Sequence, residues 1–146
     1  MATTVLKYDM NTIGYISHFK KVTGIDCRDC FAESGTIVFV TEPKKAGLAV
    51  GRQGENVRRL NRDLKKDIKI VEASGSAEDL TASFLYPLQA QNIFISEKSG
   101  QKVLSIQFGS PRERRFLLSD NLSKLKLLKV IVKRYFQDIS DILVLQ

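Results

Sequence analysis

The chain has 146 residues, of which 43% are apolar and 27% charged, a composition typical of a soluble globular protein with one ordinary domain or two small ones. No apolar run reaches the roughly 18 residues that a membrane span needs, and residues 1–7 lack the pattern of a signal peptide, so we expect a cytoplasmic protein. The 23 basic and 16 acidic residues give a net charge of +7, which favours an acidic partner, either nucleic acid or an acidic protein face.

The first half of the chain contains six predicted elements and ends in a linker. Apolar residues at three- or four-residue spacing predict a first helix, which Asn11 or Thr12 caps and Gly24 ends. Runs of β-favouring residues predict two strands around the Ser34-Gly35 turn. The predicted elements are a helix at 11–23, strands at 25–32 and 36–41, helices at 46–50 and 55–66, and a strand at 68–71. The small polar residues 73–76 then predict a linker.

The second half repeats this order. The predicted elements are a helix at 77–85, strands at 93–97 and 102–108, a helix from 111 to about 118, a turn at 119–122, a helix up to 136, and a strand at 142–145. The inward side chains of the long helix are expected to be Leu125, Leu128, Val132 and Phe136. A period of about 70 residues indicates an internal duplication, and therefore an α+β fold of two similar units.

Residues 49–57 form the most informative pattern in the chain. An apolar residue is followed by Gly-x-x-Gly, two polar residues and an apolar residue, between two predicted helices, which is the signature of a KH-type RNA-binding loop that clamps about four nucleotides. Gly51 and Gly54 allow a phosphate backbone to approach closely. Arg52 and Gln53 are predicted to contact phosphate, and the following helix directs free N–H groups and its positive dipole end towards it.

Basic residues cluster around this turn. Residues 44–66 contain eight basic and two acidic side chains, so this segment carries +6 and accounts for most of the excess charge. The basic residues are Lys44, Lys45, Arg52, Arg58, Arg59, Arg62, Lys65 and Lys66. Arg58, Arg62 and Lys66, at spacing four, are expected to share one flank of the second helix. The cluster indicates phosphate binding beside the turn, and a solvated helix face is the alternative.

The apolar residues near the turn allow two interpretations. Ile37, Val50 and Val57 either form the floor of a groove under the bases or belong to the ordinary core of the unit. Aromatic side chains suited to stacking are not evident in the sequence, so modest base selectivity is expected.

The two units differ at the turn. Residues 51–54 align with Ser119-Asp120-Asn121-Leu122, which lack both glycines and place an acidic residue where Arg52 stands. A carboxylate repels phosphate, so the second turn is expected to grip RNA poorly, and Ser119-Asp120-Asn121 are equally well explained as a helix cap. The following helix is still basic, which either attracts nucleic acid weakly or is only a solvated face.

Cys27 and Cys30 have the C-x-x-C spacing, but the chain offers only His18 as a further soft ligand, so a four-ligand zinc site cannot be completed. Because both lie in a predicted strand, we interpret them as structural thiols on opposite faces of it. No metal or other cofactor is expected. The chain also lacks a nucleophile–base pairing and a Walker-type loop, so we do not expect an enzyme.

With two such units in this order, the chain resembles the archaeal NusA-like transcription termination/antitermination factors over nearly its whole length. The residues that carry the resemblance are 16–19, 22–24, 29–30, 37–40, 47–60 and 87–88. It implies tandem type II KH domains, each a three-stranded sheet with helices on one face, at residues 1–75 and 76–146. In this family the second unit commonly keeps its own glycine-rich turn, which this sequence lacks.

The family's role implies binding of single-stranded, nascent RNA near RNA polymerase and modulation of termination or elongation, without a membrane. A different class of function is also compatible with the sequence. The chain is then a protein-interaction scaffold or a ribosome-associated KH factor, with the second unit as its docking surface.

Overall fold

The computed structural model describes residues 9–146, so the expectation about residues 1–7 lies outside the described part. The chain divides into two compact units, one ending at Ala73 and one comprising Ser74–Gln146. Each unit contains a three-stranded sheet with helices, so the predicted α+β class is confirmed. Among the described residues, no helix is both long enough and apolar enough to cross a membrane.

The first unit has the predicted order of elements. Its elements are α1 (Met10–Thr23), β1 (Cys27–Glu33), β2 (Thr36–Thr41), α2 (Ala46–Val50), a short 3-10 turn (Arg52–Gly54), α3 (Glu55–Leu64) and β3 (Asp67–Glu72). Strand β2 lies in the centre of the sheet, antiparallel to β1 and parallel to β3. The parallel pairing requires a crossover, and the chain between β2 and β3 supplies it as the α2–turn–α3 corner.

The ends of the helices show how local chemistry sets the boundaries. Helix α1 begins one residue earlier than predicted because Asp9, rather than Asn11 or Thr12, is the N-cap; its Oδ1 accepts from the backbone N–H of Thr12 at 2.7 Å. Gly24 ends α1 in the left-handed region, at φ 75°, as predicted.

Helix α3 ends at Leu64 instead of residue 66. Lys65 is its C-cap in the left-handed conformation, at φ 57°, and its N–H donates to the carbonyl of Asn61. The Asn61 side chain donates to the carbonyl of Lys66 at 2.8 Å, which fixes the chain after the helix. The prediction that Lys66 continues the flank of Arg58 and Arg62 is therefore wrong.

The core of the first unit lies on one face of its sheet. The buried cluster is formed by Phe19, Cys30, Ile37, Phe39, Ala49, Leu60 and Ile70, which come from all three helices and all three strands. The Phe19 and Phe39 rings stack with centroids 4.4 Å apart. Ile37 is fully buried in this cluster, so it is a core residue and not part of a groove floor. Val50 and Val57 pack against the cluster while remaining half-buried.

The cysteines correct another expectation. Cys30 belongs to the buried cluster and the half-buried Cys27 packs against it, so the two thiols lie on the same face of β1. A β-bulge between Cys27 and Asp29 causes this, because the extra residue reverses the alternation of side chains. Both cysteines are free thiols, and burial raises the pKa of Cys27 to about 11.

The second unit has the same order of elements. They are α4 (Ala77–Leu85), β4 (Ala90–Lys98), β5 (Gln101–Phe108), α5 (Pro111–Tyr135) and β6 (Ile139–Val144). Strand β5 is central, antiparallel to β4 and parallel to β6. Strand β6 begins three residues earlier than predicted, since Ile139 already pairs with Lys102 before an irregularity in the register.

Helix α5 is interrupted at residues 119–122, where its backbone is not helical, and so it consists of two helical parts around a turn. The predicted inward residues Leu125, Leu128 and Val132 are buried, together with Ile131. Phe136 is half-buried and forms the C-cap instead of a further inward position.

Candidate nucleic-acid interface

The turn between α2 and α3 needs glycine at its first position for reasons inside the protein. Gly51 has φ 82° and ψ 172°, a conformation that essentially only glycine adopts. A Cβ atom added there would lie 2.8 Å from Asn56 Nδ2 and 3.2 Å from the backbone nitrogen of Asn56. The absence of a side chain therefore lets the turn close against the start of α3, and this role is separate from any contact with a ligand.

Gly54 has more freedom. It lies in the left-handed region, at φ 75° and ψ 18°, which asparagine and aspartate also visit. An added Cβ would meet only Arg58 Nη1, at 3.4 Å, an ordinary contact with the end of a flexible side chain. A side chain at position 51 would thus clash with the start of α3, whereas the space around Gly54 is open.

The tip of the turn presents groups that suit an anion. Arg52 and Gln53 are exposed, and Gln53 itself has a positive φ of 54°. Gly54 is the N-cap of α3 and no side chain caps this end of the helix. The N–H of Glu55 donates to the carbonyl of Arg52. The exposed Arg52 therefore directly precedes the positive dipole end of α3, an arrangement that suits an anion.

Two of the predicted arginines are engaged within the protein. The guanidinium of Arg58 donates to the carbonyl of Gln53 and so holds the turn in its positive-φ conformation. Arg59 Nε lies 3.8 Å from Asp63 Oδ2, and the same carboxylate forms a 2.8 Å hydrogen bond with His18 Nε2. That hydrogen bond is the main cause that lowers the pKa of Asp63, so Asp63 stays ionised and offsets part of the charge of Arg59.

The remaining predicted cations are exposed. Within residues 9–146, Lys44, Lys45, Arg52 and Arg62 form no ion pair with a carboxylate. Lys44 and Lys45 directly precede α2, about 8 Å along that helix from the turn. Arg62 lies eight residues after Gly54, about 12 Å along α3. The structure therefore brings Arg52, Gln53 and Arg58 together at the turn, with the lysines and Arg62 further out.

The comparisons with known proteins agree with this geometry. The KH domain profile matches residues 15–75, which comprise most of the first unit. The chain is 27% identical over 115 residues to the probable transcription termination protein NusA of Methanococcus vannielii, covering 79% of the chain and 66% of that protein. It is 23% identical to the protein of the same name from Methanocaldococcus jannaschii, over 82% of the chain and 65% of that protein. It is also 23% identical to the one from Thermoplasma acidophilum, over 93% of the chain and 94% of that protein.

The chain resembles the archaeal NusA-like KH proteins, and residues 15–75 form a KH domain. The resemblance inferred from the sequence is thereby confirmed. The chain spans just under two thirds of the length of the first two relatives. A solved structure titled "Crystal structure of APE1850" matches with a TM-score of 0.74 and 23% identity, over 94% of this chain and all of that one, which shows a shared fold.

The turn of the second unit shares part of the backbone conformation of the KH domain's turn and lacks its glycines. Ser119 has ψ 172°, the value at Gly51, while its φ is −73°. The backbone angles of Asn121 (φ 54°, ψ 36°) are close to those of Gln53, and the angles of Leu122 (φ 64°, ψ 22°) are close to those of Gly54. Three consecutive non-glycine residues, Asp120, Asn121 and Leu122, thus have positive φ, and this conformation is most strained for the leucine.

Asp120 occupies the position that corresponds to Arg52 in the KH domain. Its Oδ2 accepts from the hydroxyl of Ser123 at 3.0 Å, in the first turn of the helical part that follows. The second unit thus provides its own anion close to the helix end where the KH domain has a cation, and this contrast is visible in the sequence alignment of the two halves.

Asn56 is the residue at this site that the sequence did not indicate. Its side chain closes against Gly51, so its identity matters to the geometry of the turn. The pattern of glycines signals a turn but does not tell which neighbour occupies the space that the missing Cβ leaves.

Proposed function

We propose that this chain is an RNA-binding transcription factor, which binds single-stranded RNA at the Gly51–Gly54 turn of its KH domain and acts with RNA polymerase on termination or elongation. The observation that carries the proposal is the turn itself. One exposed corner of a KH domain combines an exposed arginine, the N-terminus of α3 without a side-chain cap, and the glycines of the turn.

In this proposal the RNA backbone lies against the turn. One phosphate lies at the positive dipole end of α3 and takes the guanidinium of Arg52. Gly54 leaves room for the sugar–phosphate chain, and Gln53 offers an exposed amide. Arg58 acts mainly as a positioning residue, since it already donates to the Gln53 carbonyl. Lys44, Lys45, Arg59 and Arg62 contribute a broader attraction that salt weakens.

We also propose that the second unit is a KH domain of the same type II order that has lost its glycine turn. Both units have the same strand order, with one antiparallel and one parallel pairing around a central strand. The agreement of backbone angles at two of the four turn positions, Asn121 with Gln53 and Leu122 with Gly54, supports the same relationship.

The transcriptional part of the proposal rests on the names of the relatives, which are probable transcription termination proteins. Its test is transcription by the RNA polymerase of the source organism on a template with a terminator. We expect added protein to change the fraction of transcripts that read through, and a variant that cannot bind RNA to lose this effect. An unchanged read-through fraction would contradict the transcriptional part of the proposal and leave only the RNA-binding part.

The RNA-binding part is tested by titrating a short unstructured RNA at several salt concentrations. For a single strand, each phosphate contact contributes roughly 0.7 to the slope of log affinity against log salt. We expect Arg52→Ala to lower both affinity and slope. Arg28→Ala is the matched control, because Arg28 is an exposed arginine of the first unit that lies 3.6 Å from Glu42 and outside the turn. Equal effects of the two changes would mean that general charge, and not the turn, binds the RNA.

A further inference from the structure

The second unit carries as much basic charge at its helix–turn–helix corner as the KH domain does. Residues 111–135 contain eight basic and two acidic side chains, the same numbers as residues 44–66. These two segments together carry +12, so the rest of the chain carries −5. The excess charge is therefore divided between two corners, and the sequence-based attribution of most of it to the first turn was incomplete.

A cavity of about 710 Å³ lies beside the second turn, entirely within the second unit. The residues that line it include Phe116, Leu88 and two arginines, Arg112 and Arg115. The lining thus combines two apolar residues with charged and serine residues.

Phe116 is the most exposed of the large apolar residues of α5, at 53%. It precedes Ser119 by three residues, as Leu48 precedes Gly51, and Leu48 is also exposed at 62%. Lys124 Nζ lies 4.7 Å from the centre of the Phe116 ring and does not line the cavity. The ammonium group therefore holds the ring by a cation–π contact while leaving the cavity open.

The charged groups around the cavity favour an anion. Within the part of the chain that the structure describes, neither Arg112 nor Arg115 forms an ion pair. The acidic residue of the wall, Glu113, already accepts from the backbone N–H of Gln89 at 3.2 Å. A third arginine, Arg114, donates to the carbonyl of Leu145 at 3.0 Å and so is engaged elsewhere.

We propose that this cavity is a second RNA contact, in which an unstacked base of a single strand lies on Phe116 while Arg112 and Arg115 bind the adjoining phosphates. The proposal rests on the proposed function in that the ligand is single-stranded RNA. It assigns the two corners different chemistry: the KH domain holds the backbone at a glycine turn, and the second unit holds a base on an aromatic ring. Asp120 does not line the cavity, and its carboxylate accepts a hydrogen bond from Ser123 at the turn itself.

The test compares the full chain with its Phe116→Leu and Phe116→Tyr variants. The ligands are a uridine dodecanucleotide and an abasic ribose-phosphate oligomer of the same length. Stacking of a base on an aromatic side chain corresponds to an affinity loss of about fivefold or more when the ring is removed. We expect Phe116→Leu to lose at least that factor for the dodecanucleotide and nothing for the abasic oligomer, and Phe116→Tyr to keep the affinity for both.

Arg115→Gln provides a second measurement that does not depend on the ring. We expect it to weaken binding of both oligomers and to reduce the salt slope by roughly 0.7. Unchanged binding of the dodecanucleotide by Phe116→Leu overturns the proposal. Equal losses caused by Phe116→Leu for the dodecanucleotide, the abasic oligomer and poly-glutamate also overturn it, and would indicate a docking face for an acidic protein.

The same titrations separate this proposal from the function of the KH domain. In a chain carrying Gly54→Asp, the dodecanucleotide is expected to retain weak binding that Phe116→Leu then removes. If Gly54→Asp has no effect while Phe116→Leu abolishes binding, the second site stands and the first fails. If Gly54→Asp abolishes all binding and Phe116→Leu has no effect in the parent chain, the first site stands and the second fails.

Discussion

Replacing Gly54 by aspartate or by asparagine tests the turn of the KH domain with the smallest disturbance. Gly54 lies in the left-handed region, which these two residues adopt most readily among those with side chains, and an added Cβ meets only Arg58 Nη1 at 3.4 Å. Both variants therefore have a similar conformational cost, about 1 kcal/mol, and should unfold at nearly the same temperature. They differ only in charge.

The magnitude follows from Coulomb's law. A carboxylate about 4 Å from a phosphate is repelled by about 1 kcal/mol in bulk water and by about 4 kcal/mol at the effective dielectric constant of a protein surface. We therefore expect Gly54→Asp to bind single-stranded RNA between about fivefold and several hundredfold more weakly than Gly54→Asn. Fluorescence anisotropy with a labelled dodecanucleotide at low salt measures this ratio directly.

Salt provides the internal control for this comparison. The gap between the two variants should shrink as the salt concentration rises, because exposed charges are screened beyond the Debye length of about 10 Å at 0.1 M. Equal affinities of the Asp and Asn variants at low salt would refute the reasoning, since no phosphate then approaches Gly54. Equal weakening of both variants relative to the parent would instead assign the effect to bulk at the turn.

Three further predictions concern the same fold. Gly51→Ala should lower the free energy of unfolding by about 1–3 kcal/mol through backbone strain, and adding Asn56→Ala should recover part of this loss in urea titrations, because it removes the side-chain atoms 2.8 Å and 2.9 Å from the new Cβ. Asp120→Ala should leave RNA affinity unchanged or raise it, whereas Arg52→Ala should lower it, and equal losses in the same salt titration would show that the second turn also grips the backbone. Cys27, whose pKa burial raises to about 11, should be alkylated at pH 8 far more slowly in the folded protein than in urea, and equal rates measured by mass spectrometry would contradict its packing against the core.

The order of elements could be predicted from the sequence because it depends on short-range chemistry. The bounds of α2 and α4 match the predictions, and Gly24 ends α1 as expected, since hydrophobic period, glycine and proline act within a few residues. The glycine pattern at residues 51–54 and its replacement at residues 119–122 were also visible without a structure. The equal charge of the two corners could have been counted from the sequence.

Other features depend on neighbours distant in the chain or on small displacements of the backbone, and only the tertiary structure decided them. The bulge between Cys27 and Asp29 turned Cys27 towards the core, and Ile37 lies fully inside the core because the helices cover that face of the sheet. The contact of Asn56 with Gly51 depends on an approach of less than 3 Å. Periodicity gives the face of an element on which a residue lies, whereas the packing of other elements determines whether Phe116 is buried or left exposed beside a cavity.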